Sequence, residues 1–386
     1  MMRALENVRV LDLTAHLAGP FTTMLLADMG AEVIKIERHG TGDPSRLVEP
    51  KVKGQSSYFL FHNRNKKGIV IDLKEEKGLK IFIDLAKISD VVVENFRPGV
   101  MDRLGLDYET LKEINPQIIY ASISGFGQHG PYIKRPSFDI IAQAISGWMH
   151  LTSLDPRGPR SMPTFQPVTV AGSPGDTVPG LYTACAILAA LYFRELTGVG
   201  QRIDVAQMDC MITMNAHRFT PYLLTGKTAE ERSKEQVREL HGIYKAKDGF
   251  VVIRASHRDL KTLADILGAE ENELLPPSPF LDNWVGEKSR DEVVSILAEK
   301  LPCAPVLKDD EVVRDPNVEE RKMIVEMGHP LGFTYRTMAT PIKFSETPVQ
   351  VKSVPPLLGQ HTEEILSTIL HYSSEYIAEL KEEGVI

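Results

Sequence analysis

Short apolar runs alternate with longer amphipathic stretches along the first half of the chain. Val8–Leu13 (VRVLDL) predicts a strand. Phe21–Met29 (FTTMLLADM) has helical spacing, and Gly30 stands where a C-cap belongs. Glu32–Glu37 (EVIKIE), Ile69–Leu73 (IVIDL), Asp90–Glu94 (DVVVE) and Ile118–Ser124 (IIYASIS) read as further strands. Helices are predicted over Lys77–Ile88 and Met101–Ile114. This alternation argues for parallel βαβ units. The prolines of Leu151–Gly175 (Pro156, Pro159, Pro163, Pro167, Pro174) predict an ordered loop. Leu181–Phe193 (LYTACAILAALYF) is the longest apolar-rich stretch. It is shorter than the roughly 20 residues a bilayer span needs, so it predicts a buried helix and no membrane partner. Arg202–Ala206 (RIDVA) reads as one more strand.

The texture changes near Lys227. KTAEERSKEQVRELHG is charged and helical, and Gly242–Ser256 predicts two strands joined at Lys247-Asp248-Gly249. Short helices follow around Asp259–Leu267 and Arg290–Leu301, then a final helical region over Thr362–Glu383. The pattern is an α/β fold, with a parallel sheet in the larger domain and a smaller domain after it.

Composition narrows the class. The chain has 386 residues, which at about 150 per domain fits two or three domains. Its formal charge is −8, and no basic surface of the kind a nucleic-acid binder needs is indicated. Three Cys make no disulfide framework, and MMRALENVRVLDLT lacks a signal-peptide pattern. A cytoplasmic location is expected.

Several motifs carry candidate chemistry. The turn Thr14-Ala-His-Leu-Ala-Gly-Pro20 has only Gly19 and is no dinucleotide fingerprint. Basic residues gather at strand ends: Arg38 and His39 after the second strand, Lys66, Lys67 and Lys74 around the third, Arg97 and Arg103 after the fourth. They are either ordinary solvated charges or a grip on a phosphorylated ligand. Asn95-Phe96 is either a turn Asn with a core Phe or a pair that bonds and stacks on a ligand. Asp176 is the only acid in Gly172–Gly180 (GSPGDTVPG). Spacing alone leaves it open between a helix N-cap and a carboxylate nucleophile. Cys185 reads as core and Cys303, in PCAPV, as loop. The His and Cys spacings match no metal site.

Together, Arg9–Arg38, Asp90–Leu111, Gly175–Leu191, Thr197–Asp209, PCAPV at Pro302–Val306, and TPIKFSETP and PPLLGQHTEEIL toward the C-terminus resemble the family III CoA-transferases over essentially the whole chain. That group includes carnitine and formyl-CoA transferases. The resemblance implies a Rossmann-like large domain over 1–225 and 330–386, a small α+β domain over 226–329, and an interlocked homodimer. It implies acyl-CoA and carboxylic acids as substrates, no permanently bound cofactor, and Asp176 as nucleophile. CoA would pass from the donor thioester through a mixed anhydride and an aspartyl-CoA thioester, with backbone N–H groups near the helix start as oxyanion donors.

By position, the resemblance assigns Arg38 to the CoA nucleotide, and Ile71 and Lys74 to its adenine end and phosphates. Asn95 and Phe96 would lie along the pantetheine, Arg103 would bind a phosphate, and Arg135 lies close to where relatives have a basic CoA contact. Leu17-Ala18 would form the wall near the thioester. The related α-methylacyl-CoA racemases use a His-Asp pair where this chain has Phe138-Asp139, which disfavours racemisation. Formyl-CoA:oxalate transferases have Gln where this chain has Leu17, and a glycine run it lacks, which disfavours oxalate as acceptor. Leu17, Phe138 and Trp148 point to a less polar acid pocket. A racemase-type isomerase and a non-catalytic CoA-binding homologue are the alternatives.

Overall fold

The computed structural model describes residues 2–153, 166–233, 240–275 and 278–386. Two compact units result: Met1–Ser146, Ala171–Met214 and Asn317–Ile386 form one, while Gly147–Val170 and Asn215–Pro316 form the other.

The first unit is built on six parallel strands: β1 (Arg9–Asp12), β2 (Glu32–Glu37), β3 (Lys66–Val70), β4 (Val91–Glu94), β5 (Ile119–Ser124) and β6 (Arg202–Ala206). Their order is β3-β2-β1-β4-β5-β6. The chain thus builds outward from β1 in one direction, then returns to β1 and builds in the other. Successive side chains enter opposite faces, as strand geometry requires. Leu11, Ile34 and Val92 join one core, while Val10, Val33, Val91 and Val93 join the other. Burial on both faces explains why these strands read as continuous apolar runs.

One face is covered by α2 (Glu76–Ala86) and by the C-terminal residues Ile365, Leu366, Ile377 and Leu380. Against the other pack α1 (Ala18–Asp28) and, through Ala184, Ile187 and Ala190, a long helix α4 (Pro174–Thr197). Between them in sequence lies α3 (Asp139–Ile145), and α5 (Gln207–Met214) follows β6 directly.

Several elements differ from the sequence expectations. Strand β3 starts at Lys66 instead of Ile69, because Lys66 is buried against Asp12 and pairs in register with Val33. The expected Met101–Ile114 helix is two helices, Val100–Arg103 and Tyr108–Ile114. Gly105 (φ 67°) breaks it, and Asp107 accepts from the Glu109 and Thr110 N–H groups to cap the second piece. The final helical region is interrupted at His371 (φ 57°) and restarts at Ser374. Helix α4 runs seven residues upstream of the apolar stretch that signalled it and four beyond it, giving 24 residues in all, a length that suits a bilayer. Its core contacts with the sheet account for its apolar face. Cys185 lies on its exposed side, contrary to the core reading.

In the second unit β7 (Leu240–Ala246) and β8 (Gly249–Ala255) form the expected hairpin. A third strand, β9 (Cys303–Pro305), pairs with β8 where a loop was expected. Helices including Leu260–Leu267, Pro279–Gly286 and Arg290–Leu297 cover this sheet. Of the charged helix expected after Lys227, Ala229–Ser233 is helical, and 234–239 lie outside the described residues, as does 154–165 of the expected proline loop.

The unit boundaries also differ from the cuts at 225/226 and 329/330. A cut at 329/330 would split the antiparallel hairpin β10 (Ile324–His329) and β11 (Phe333–Met338). That hairpin belongs to the first unit, where Arg64 donates to the Met338 carbonyl at 2.7 Å. Gly147–Val170 falls in the second unit, where His150 meets Glu230 at 2.6 Å.

Candidate active site

Ligands in open α/β sheets bind beyond the carboxyl ends of the strands, where the strand order reverses. Here that point lies between β1 and β4. A cleft of about 800 Å³ opens there. All six strand ends reach it: Leu13–Ala18 after β1, Arg38 after β2, Asp72–Lys74 after β3, Asn95–Pro98 after β4, Ser124-Gly125 after β5, and Gln207 after β6.

The turn after β1 forms one wall, and a buried charge network holds it. Asp12 is fully buried and accepts from Lys66 Nζ (2.9 Å), Thr23 Oγ1 (2.7 Å) and the Thr14 N–H (2.9 Å). Burial alone would raise its pKa, but Lys66 and Lys35 outweigh that and hold the carboxyl far below its usual range. Burial lowers the Lys66 ammonium to about 8 despite the pull of Asp12. Lys35 donates to the Thr14 carbonyl at 2.8 Å and pairs with Asp43 at 2.9 Å. Asp43 in turn accepts from the His16 N–H at 3.2 Å. These bonds hold His16 in the left-handed region (φ 65°), at the tip of the turn. Asn95 closes the other side: its amide bonds both the N–H (2.9 Å) and the carbonyl (2.8 Å) of Ala15.

Of the residues the resemblance assigned, Leu17, Ala18, Arg38, Lys74, Asn95, Phe96, Arg135 and Asp176 line the cleft. Two do not. The Ile71 side chain is buried in the core beside Ile69 and Ile81, because strand alternation turns it inward. Arg103 projects to solvent from its short helix, outside the cleft lining. Asn95 lines the cleft, but its amide is already bonded to Ala15. Lys66 serves Asp12, and Lys67 pairs with Glu32 (3.2 Å) and Glu364 (2.9 Å), so neither is available to a phosphate. Trp148 belongs to the second unit.

Asp176 stands in the first turn of α4, not ahead of it, and Ser173 occupies the N-cap position. The capping alternative therefore fails. Oδ1 of Asp176 accepts from Gln207 Nε2 at 2.6 Å. Burial, reinforced by the nearby Asp139 carboxylate, raises the Asp176 pKa to about 6 against the opposing Gln207 bond. Asp139 is held by the Gly175 N–H (2.8 Å) and by Gln143 Nε2 (2.9 Å). The backbone N–H groups at the helix start are therefore engaged: Gly175 bonds Asp139, while Asp176 (3.0 Å) and Thr177 (2.9 Å) bond the Ser173 carbonyl. The expectation that they serve as oxyanion donors is not met.

Two glycines allow this approach. A Cβ on Gly175 would lie 2.8 Å from the Asp139 carbonyl oxygen, and one on Gly180 would lie 2.9 Å from that of Ala18. Gly180 is thus the point where α4 meets α1. Gly180→Ala is expected to cost about 1–3 kcal/mol through overpacking, measured by urea unfolding. A variant as stable as the parent would show that the two helices can separate freely.

Residues 5–362 match the model of CoA-transferase family III. The chain belongs to that family. A human succinyl-CoA:glutarate CoA-transferase is 36% identical, over all of this chain and 90% of the relative. Formyl-CoA:oxalate CoA-transferase of Streptomyces coelicolor is 34% identical, over all of this chain and 99% of the relative. Among solved structures, a CAIB/BAIF family protein from Brucella suis superposes with a TM-score of 0.82 at 31% identity, covering 96% of this chain and 100% of that one.

The cleft thus belongs to a CoA-transferase, a class of enzyme whose substrates are CoA thioesters. The cleft lining also includes residues that sequence reasoning missed, His16, Asp43 and Gln207, and Asp139 stands behind it, bonded to the Gly175 N–H. The ring of His16 meets Phe138 edge-on at 6.0 Å. For Gln207 a signal existed, because it is the first residue past the carboxyl end of a strand. Among the described residues no cluster of three or more His, Cys, Asp or Glu is arranged to hold a metal.

Proposed function

We propose that this CoA-transferase moves CoA from an acyl-CoA to an acid acceptor through covalent intermediates on Asp176. The observation that carries the reading is the placement of Asp176: a part-buried carboxylate facing the cleft, with Oδ1 bonded to Gln207 and no donor on Oδ2 among the described residues. Oδ2 attacks the thioester carbonyl and expels CoA thiolate, leaving an acyl-aspartyl anhydride. The thiolate attacks Cγ of Asp176 and expels the donor acid. An acceptor carboxylate then attacks the aspartyl thioester and expels CoA thiolate, giving a second anhydride; the thiolate attacks the acceptor's acyl carbon, and Asp176 leaves as the free carboxylate. A CoA thioester filling the cleft would keep water from both intermediates.

Arg38, Lys74 and Arg135 supply positive charge on the cleft rim for the CoA phosphates. Leu17 and Phe138 favour an acid larger and less polar than oxalate, and glutarate, named for the human relative, fits that description. Phe138 also places no second base beside Asp139, so transfer is favoured over racemisation. A homodimer of interlocked chains is supported by the exposed apolar side of α4, where Tyr192 is 69% and Leu196 67% exposed. The free thiols of Cys185, Cys210 and Cys303 support a cytoplasmic location.

The test is a panel of formyl-, acetyl- and succinyl-CoA against oxalate, glutarate and longer acids, read by mass spectrometry. Transfer to glutarate above oxalate supports the pocket reading, and the reverse order overturns it. The nucleophile must be ionised, so kcat/KM is expected to fall to half its plateau near pH 6 as Asp176 takes up a proton. A profile flat down to pH 4 would place the nucleophile elsewhere.

A further inference from the structure

The carbonyl of each aspartyl intermediate needs a donor, and the helix-start N–H groups are already engaged. We propose that the Gln207 side-chain amide is a catalytic oxyanion donor to Oδ1 of Asp176. This deepens the covalent reading above and rests on it.

Three observations carry the inference. Gln207 Nε2 lies 2.6 Å from Asp176 Oδ1, so an N–H already points at one carboxylate oxygen. The opposite amide orientation would set an oxygen against a carboxylate, so charge fixes which end faces Asp176. Second, the residue is only 6% exposed, yet its Oε1 is buried with no hydrogen-bond partner among the described residues. Leaving an acceptor so costs about 1–3 kcal/mol, which a side chain kept only for packing would avoid. Third, Gln207 opens α5 straight after β6, so its position is set by the sheet.

The geometry divides the work between the two oxygens of Asp176. Oδ1 is held by the amide, which leaves Oδ2 to attack the donor thioester and become the bridging oxygen of the anhydride. When CoA thiolate adds to Cγ, its electron pair forms the S–C bond and negative charge collects on Oδ1. Collapse breaks the Cγ–Oδ2 bond, and the donor acid departs as a carboxylate carrying that oxygen. Acceptor attack on the aspartyl thioester again places charge on Oδ1, and CoA thiolate leaves. In both steps Oδ1 passes from neutral carbonyl to oxyanion, so the Gln207 bond strengthens in the transition state. The first attack, on the donor carbonyl, gains nothing from it.

The experiment compares the parent with Gln207→Met, which keeps the volume and removes the amide. It uses rapid-quench mass spectrometry with succinyl-CoA, or whichever donor of the panel turns over fastest. Aspartyl-CoA formation is expected to slow by about 10²–10³-fold, the scale of one lost oxyanion donor, with KM for the thioester changed less than about threefold. The variant loses one orphaned acceptor and leaves Asp176 Oδ1 without its donor, so its urea midpoint is expected to stay close to the parent's. Its acidic limb should move to higher pH, since the bond favours the ionised carboxylate. A parent that forms no adduct on Asp176 overturns the covalent reading. A parent that forms it while Gln207→Met matches its rate overturns the role of Gln207 alone. Should the Met variant fail to fold, the packing role is shown instead and the inference falls, unless Gln207→Asn folds and restores part of the rate.

Discussion

Asp176→Ala is expected to lower CoA transfer by on the order of 10⁴-fold or more, the scale on which loss of a covalent nucleophile acts. Binding of the thioester should change little, because Arg38, Lys74 and the turn at Leu17-Ala18 remain in place. Asp176→Asn keeps an acceptor for Gln207 and should fold as the parent does, yet it offers no anionic oxygen. Steady-state turnover and the intact mass after incubation with acyl-CoA check this, since neither variant should gain an adduct. Full turnover by Asp176→Ala would remove the carboxylate from the mechanism. The same residue has a signature in stability. Its folded pKa, about 6, lies above the ordinary 3.8. The protonated form is thus favoured by folding, and its contribution is complete below about pH 4 and lost as pH rises through 6. Asp176→Asn, which does not titrate, should therefore gain stability relative to the parent across that window.

Asp12→Ala is expected to cost about 3–5 kcal/mol of unfolding free energy, because it removes one partner of a buried pair. Asp12 and Lys66 have no exposed side-chain surface, and Lys35 is buried beside them. Without Asp12 the Lys66 ammonium keeps only the neutral oxygens of Pro20 and Asn63. Thr14 loses its acceptor and Thr23 keeps only the longer contacts to the Gly19 and Pro20 carbonyls, so the turn carrying His16 and Leu17 loosens. KM for acyl-CoA should rise along with the instability. Lys67→Ala is the control, because its pairs with Glu32 and Glu364 are part-exposed and worth less than about 1 kcal/mol. Urea unfolding of both variants decides the matter. Equal small losses would mean that water reaches Asp12.

The sheet was legible because its strands are buried on both faces, so β1, β4 and β5 read as runs of Val, Ile and Leu. Strand β3 was misplaced because two lysines open it, and nothing local shows that Asp12 lies in wait for one of them. The Gly105 break and the hairpin β10–β11 depend on a single backbone angle and on pairing, neither of which periodicity records. Asp176 stood out as the lone acid among small residues. Its helix was read too short, since Pro174 and Pro179 look like breakers although both are accommodated in α4. Ile71 was drawn to the site by its neighbours in sequence, but alternation turns its side chain into the core. Gln207 has no spacing signature, and only the position of its strand end gives it meaning.

The C-terminal residues do more than cover a core. The Gly68 N–H bonds His361 Nδ1 (3.0 Å), the Val70 N–H bonds Thr362 Oγ1 (3.1 Å), and the Asp72 N–H bonds the Val385 carbonyl (2.8 Å). Strand β3 is the sheet's edge, so these bonds occupy groups that would otherwise offer themselves to a stray strand. During synthesis β3 emerges well before the residues that seal its edge, which follow the second unit in the chain. The edge of β3 therefore stays bare while the second unit is translated.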